Sequence, residues 1–243
     1  IITLFNKKVR GKKPNTDKSN AKHAGKIGHW LEDQMGIARN ASNTPDLLGY
    51  EMKNHTSSKT TFGDWSADFY IWHDSSYKIV RDDFLRIFGK PNERKGGRFS
   101  WSGEPIPKIS RYNFYGQTLI VDNKQNIVIK YSFSRDQRKD KKRILPKSMR
   151  RDNLILARWD CVSITKKVEQ KFNHKGWFKC LRNIEGTYTD IVFGAPITFA
   201  NWIRGVKSGL IFFDSGMYQT NVRNYSQWRA NNAYWESLVT ERY

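Results

Sequence analysis

Only two cysteines occur in the chain, Cys161 and Cys180, and neither sits in a CxxC pair or beside a paired histidine. Neither a zinc site nor a disulfide framework is indicated, and a reducing, cytoplasmic setting is expected. No run of about 18 apolar residues is present, so a transmembrane helix is not expected. No basic amphipathic helix of convincing length marks a membrane-surface protein, and no charged-apolar-small signal peptide opens the chain. Internal repeats are missing as well. Acidic residues are scarce, 23 against 43 Lys and Arg, which leaves a net charge of +20. Such an imbalance costs self-repulsion unless a polyanion relieves it, so nucleic acid is the expected partner. What is present suffices for a core: 243 residues, 38% hydrophobic, with nine Trp that serve either the interior or stacking on bases. The first residue is Ile1 rather than Met. An upstream recognition or effector domain outside this sequence is accordingly an expectation.

Residues 6–26 are basic and nearly free of apolar side chains, the pattern of an arm or loop, and an N-terminal basic arm over 1–23 is expected. From residue 24 to 38 the spacing of Ile27, Trp30, Leu31 and Met35 predicts a helix. Residues 47–53 and 67–72 read as neighbouring strands, residues 80–88 as a helix and 89–107 as a loop. The runs 112–121 and 126–133 predict a β-hairpin around Asp122-Asn123-Lys124-Gln125, followed by a dense block of Lys and Arg over 134–151 that is either a solvated loop or a phosphate-contacting surface. Residues 154–172 have helical spacing, 177–181 and 191–193 look like strands, and 198–207 looks like a helix running into a strand at 209–213. The tail from 224 to 243 shows no clear periodicity. Strands and helices mixed without strict alternation predict an α/β fold with a central mixed sheet flanked by helices. The whole of 1–243 is expected to be one catalytic domain with a recognition subregion at 89–151 and 209–235.

The chemistry is concentrated in Thr44-Pro45-Asp46-Leu47-Leu48-Gly49-Tyr50-Glu51-Met52-Lys53. On a strand, Glu51 and Lys53 share one face while Tyr50 and Met52 take the other. Asp46, at the turn entering the strand, brings a second carboxylate against Glu51, and two carboxylates forced together repel unless a cation sits between them. Hard oxygen donors without His or Cys suit Mg²⁺. Such a site provides what phosphodiester hydrolysis needs: Asp46 and Glu51 to hold the metal, and Lys53 to orient or deprotonate water and to offset phosphate charge. Upstream, Lys26-Ile27-Gly28-His29-Trp30-Leu31-Glu32 puts Glu32 one helical turn beyond Gly28, where it can face the same site. His55 follows Lys53 at strand spacing and is a candidate phosphate contact, whereas His23, His73 and His174 carry no signal.

Taken together, K-x-G-x-x-L-E on a helix and P-D-x4-E-x-K resemble the PD-(D/E)xK restriction endonucleases of the MutH-like group, and the gap from Asp46 to Glu51 is similar to that of the MvaI/BcnI family. The close likeness covers residues 25–55. It implies a restriction-endonuclease-like fold, sequence-specific cleavage of double-stranded DNA by a chain acting as a monomer, Asp46 and Glu51 as metal ligands, Lys53 as the catalytic lysine, and Glu32 as a carboxylate supporting the metal site through water or Lys53. The chain departs from that family near its end, where a His-containing recognition segment is expected but no His follows His174. Arg223, Asn224, Gln227 and Arg229 stand there instead, residue types that pair with guanine or adenine edges. Two other readings are open from sequence: a strand-nicking enzyme of the mismatch-repair type, and a basic DNA-binding module without activity.

Overall fold

The computed structural model describes residues 1–16, 25–38 and 42–243. In chain order the helices are α1 (Ile2–Lys8), α2 (Lys26–Gln34), α3 (Arg81–Phe88), α4 (Lys141–Ile144), α5 (Cys161–Phe172), α6 (Phe199–Lys207) and α7 (Asn232–Ser237). The strands are β1 (Glu51–Asn54), β2 (Lys59–Asp64), β3 (Phe69–Tyr70), β4 (Lys90–Asn92), β5 (Arg98–Trp101), β6 (Tyr115–Val121), β7 (Ile127–Asp136), β8 (Leu154–Trp159), β9 (Trp177–Arg182), β10 (Tyr188–Gly194), β11 (Ile211–Ser215), β12 (Met217–Tyr218), β13 (Ser226–Asn231) and β14 (Val239–Arg242). The chain divides into two compact units, one of Ile1–Thr60, Lys167–Phe199 and Asn231–Tyr243, the other of Thr61–Lys166 and Ala200–Ala230. Among the described residues no helix is long and apolar enough to cross a membrane.

The first unit is built on the mixed sheet β1-β9-β10-β14, in which β1 runs parallel to β9 and the remaining pairs are antiparallel. Strand alternation gives its two faces opposite characters. Met52, Phe178, Cys180, Ile191 and Phe193 form the apolar face and pack with Phe5, Val9, Leu31 and Met35. Each such side chain contributes roughly 1.5–3 kcal/mol by burial, and Phe178→Ala would remove about 3–5 kcal/mol. Leu31 and Met35 come from α2 and its C-terminal turn, where Gly36 at φ +67 lets the chain close a Schellman motif, Ile37 N donating to Glu32 O and Gly36 N to Asp33 O. That glycine ends the helix at Gln34, short of the predicted residue 38. The opposite face carries Glu51, Lys53, Trp177 and Lys179, covered by Phe172 of α5 and by Trp235 of α7, whose ring centroid lies 4.9 Å from that of Trp177.

The second unit contains the antiparallel sheet β3-β8-β7-β6 and two three-stranded sheets, β11-β13-β2 and β12-β5-β4. The expected hairpin is present as β6 and β7, with Val121 opposite Ile127, and the Asp122 carboxylate accepts from the N–H groups of Lys124 and Asn126 to hold the turn. Trp159, Trp228, Trp202 and Phe213 pack edge to face or tilted in its core. Seven of the nine Trp are buried and serve packing, while Trp30 and Trp72 are half-buried and stack on Tyr188 and Tyr70.

Several expectations need correction. Residues 154–159 are strand β8 rather than the start of the helix that follows, because Leu154, Leu156, Ala157 and Trp159 are buried on a strand between β7 and β3. The 67–72 run supplies only Phe69–Tyr70 and pairs with β8, not with β1, whose partner is β9. The aperiodic tail holds β13, α7 and β14. Within the basic N-terminal stretch, Ile2–Lys8 forms α1 with Phe5 and Val9 in the core, while residues 17–24, like 39–41, lie outside the described residues.

Candidate active site

A two-residue turn brings Asp46 to β1. Leu47 and Tyr50 exchange backbone hydrogen bonds of 3.0 and 2.9 Å around Leu48 and Gly49, both at positive φ, +51° and +86°. Glycine supplies that conformation without strain, whereas Leu48 adopts it at a cost. The chain thereby folds back so that Asp46 Oδ2 accepts from the N–H of Met52 at 2.9 Å, which holds the carboxylate beside Glu51.

Glu51 and Lys53 are buried, with 3% and 9% of their surface exposed. Lys53 Nζ donates to Glu51 Oε1 at 2.8 Å and lies 5.1 Å from the centre of the Phe172 ring. A second ammonium, Lys171 Nζ in the last turn of α5, reaches the same Oε1 at 3.0 Å. Glu51 Oε2 is buried and has no hydrogen-bond partner among the described residues. Burial, then the charge of Glu51, raises the Asp46 carboxyl to about 6, against the Met52 N–H and the two ammonium groups, which lower it. Burial likewise brings the Lys53 ammonium below the ordinary lysine range, with Glu51 opposing the shift and Lys171 adding to it.

This donor set fits a hard divalent cation. Two carboxylates, one with an unpartnered buried oxygen, offer charge and hard donors, and water or phosphate oxygens complete such a shell. Among the described residues no group of three or more His, Cys, Asp or Glu could hold a metal, so a closed zinc-type cage has no counterpart here.

The structure thus brings Asp46, Glu51 and Lys53 together. Glu32 lies half-buried on α2, next to Leu31 of the opposite, apolar face, and its carboxylate makes no hydrogen bond or ion pair among the described residues. His55 lines a cavity of about 250 Å³ with Lys179, Asn232 and Arg242. Its Nδ1 accepts from Arg182 N at 3.4 Å, and burial, Lys179 and Arg182 lower its pKa. Of the recognition candidates, Arg223 pairs with Asp64 at 2.8 Å and Asn224 Oδ1 accepts from Arg81 Nε at 2.8 Å. Gln227 and Arg229 lie on the less buried face of β13, Arg229 donating to Asp214 and Thr61. Lys171 escaped the sequence reading, as did Lys179, which stands opposite Lys53 on β9 and donates to Thr60 and Asn232. The strand period was a signal for Lys179 once β9 was recognised. For Lys171, far downstream on a helix, there was none.

The family model described as LlaMI restriction endonuclease matches residues 9–243. The type II restriction enzyme ScrFI of Lactococcus lactis subsp. cremoris is 48% identical over 261 residues, covering 99% of this chain and 96% of that protein. The fold resembles that of restriction endonuclease MvaI in its complex with cognate DNA, with a TM-score of 0.65 at 16% identity over 99% of this chain and 95% of the other. The family match and the close relative together show that the chain belongs to the LlaMI restriction endonuclease family: it is a type II restriction endonuclease, a hydrolase that cuts DNA at a specific sequence.

Proposed function

We propose that Asp46, Glu51 and Lys53 are the catalytic centre of this endonuclease, that Mg²⁺ is held between the two carboxylates, and that a single chain acts on double-stranded DNA. The observation that carries this reading is the buried Glu51 Oε2, without a hydrogen-bond partner among the described residues, beside the Asp46 carboxylate that the Met52 N–H holds in place. A divalent cation relieves the repulsion between the two carboxylates. When bound, it supplies a Lewis acid for the charge that builds on the phosphoryl oxygens. Lys53 works from the same face of β1. As an ammonium it offsets phosphate charge and orients the attacking water by donating to it. Glu32 enters through water, since its carboxylate makes no direct contact with the three. His55 donates from Nε2 to a phosphate. Gln227 and Arg229 read bases, with Arg229 held in place by Asp214 and Thr61. A reducing cytoplasm suits the two free cysteines.

The test is digestion of supercoiled plasmid with Mg²⁺ by the wild type and by the Asp46→Asn, Glu51→Gln and Lys53→Met variants. Wild type linearises the plasmid at fixed sites, and each variant loses at least about a hundredfold in rate, the scale of one acid-base or electrostatic contribution, while still binding DNA in EDTA. Wild-type cutting by the Asp46 and Glu51 variants overturns the site. Accumulation of nicked circles without linear product overturns double-strand cleavage by a lone chain.

A further inference from the structure

Glu51 Oε1 is shared by two ammonium groups, and the second of them has no role in the catalytic reading above. Lys171 Nζ stands 3.0 Å from it, with 14% of the lysine side chain and 4% of the glutamate side chain exposed. With Asp46 and Glu51 ionised, the ammoniums of Lys53 and Lys171 balance them charge for charge. With one ammonium, the buried Glu51 and its neighbour Asp46 would carry uncompensated charge. With two, the centre is formally neutral before any metal arrives.

We propose that Lys171 is an internal counter-ion that stands in for the metal's charge in the metal-free enzyme and opposes metal binding. The inference rests on Asp46 and Glu51 being the metal ligands. A divalent cation entering a neutral, largely buried cluster turns it doubly positive, and the nearest like charges repel it. The two lysines have the same four-carbon stem, but the Lys53 ammonium is also held 5.1 Å from the Phe172 ring, whereas Lys171, in the last turn of α5, is the more exposed of the two, 14% against 10%, so Lys171 is the group that can swing away. Both lysines use Oε1, which leaves Oε2 as the oxygen a cation meets first.

The decisive variant is Lys171→Gln, which removes the charge and keeps a hydrogen-bond donor of similar reach; Lys171→Arg keeps the charge. Binding of Mn²⁺ to the full chain without DNA is measured by isothermal titration calorimetry, and melting is followed in EDTA. Lys171→Gln is expected to bind Mn²⁺ about tenfold tighter than wild type, the effect of about 1.4 kcal/mol of relieved repulsion, and to melt several degrees lower in EDTA, with Lys171→Arg close to wild type in both. Unchanged or weaker Mn²⁺ binding by a folded Lys171→Gln overturns the proposal. The underlying reading is tested separately with Asp46→Asn. If that variant binds Mn²⁺ like wild type, the carboxylate pair is not the metal site and both ideas fall. If it loses binding while Lys171→Gln changes nothing, the metal site stands and only the counter-ion is lost.

Discussion

Replacing Asp46 by Asn should stabilise the metal-free protein while abolishing cleavage, because the side chain proposed to serve the metal is an electrostatic liability without it. The Asp46 carboxyl has its pKa raised from 3.8 to about 6. An acid whose pKa is higher in the folded state destabilises the fold when ionised. The penalty is complete above the folded value and is relieved as pH falls from about 6 towards 3.8, where folded and unfolded chains both take up the proton. The full shift corresponds to about 3 kcal/mol at 1.36 kcal/mol per pKa unit. More than a third of the residue's surface is open to solvent although the carboxylate itself is turned in towards Met52, so screening reduces this to about 1–2 kcal/mol. Asn retains an oxygen that accepts from the Met52 N–H, so the change removes charge and little else. At pH 7.5 in EDTA the variant should melt roughly 2–8 °C above wild type, at about 2–4 °C per kcal/mol for a chain of this size, and the gap should close at pH 4. Adding Mg²⁺ should raise the wild-type transition and leave the variant where it was. An Asp46→Asn protein that melts at or below wild type in EDTA at pH 7.5 would refute the claimed repulsion.

Two further outcomes concern DNA. Affinity should fall with salt along a log-log slope of about −0.9 per phosphate contacted, and changing exposed Lys142, Arg143 or Lys147 to Ala should each flatten it by about one unit; a slope that none of them changes would assign the 134–151 block to solvent. Arg229→Ala should relax discrimination at one base pair by about 1–3 kcal/mol, while Arg223→Ala, whose guanidinium is paired with Asp64, should leave the specificity profile unchanged. Cleavage rates on every single-base variant of the preferred site decide the matter, and the reverse pattern would move the reading surface to Arg223.

The centre from Asp46 to Lys53 was legible because its geometry is local: a turn and a four-residue strand bring two carboxylates and an amine together with no help from distant sequence. The pairing of β1 with β9 was not, since a parallel partner arrives through a long crossover that leaves no mark in either strand. In the tail, Ser226, Trp228 and Ala230 do alternate inward against Gln227 and Arg229, yet two of the three buried residues are small or polar, so the strand period carried little hydrophobic contrast. Residues 154–159 misled in the opposite way. A bulge opposite β7 interrupts the alternation of β8, so Leu154, Leu156, Ala157 and Trp159 are buried at spacings of three that imitate a helix, and the run flowed into the amphipathic pattern of α5. Glu32 marks the boundary of the method, because helical spacing fixed its element but not the direction its carboxylate takes.

The charges separate attraction for DNA from the ability to cut it. Asp46, Glu51, Lys53 and Lys171 cancel formally, so the centre exerts little net field on a phosphate beyond its own contact distance. The chain's net charge of +20 must therefore act from elsewhere. In the basic block part of it is committed internally: Arg138 is buried against Asp136 and donates to Ile87 O, and Lys141 donates to Phe133 O and Asp136 O. Arg135, Lys139, Lys142, Arg143, Lys147 and Arg151 remain exposed. Those side chains can hold a duplex whether or not a cation occupies the centre. That is why substitution of either carboxylate should leave binding in EDTA nearly intact, and why loss of binding together with cleavage would mean that the carboxylates hold the fold rather than the metal.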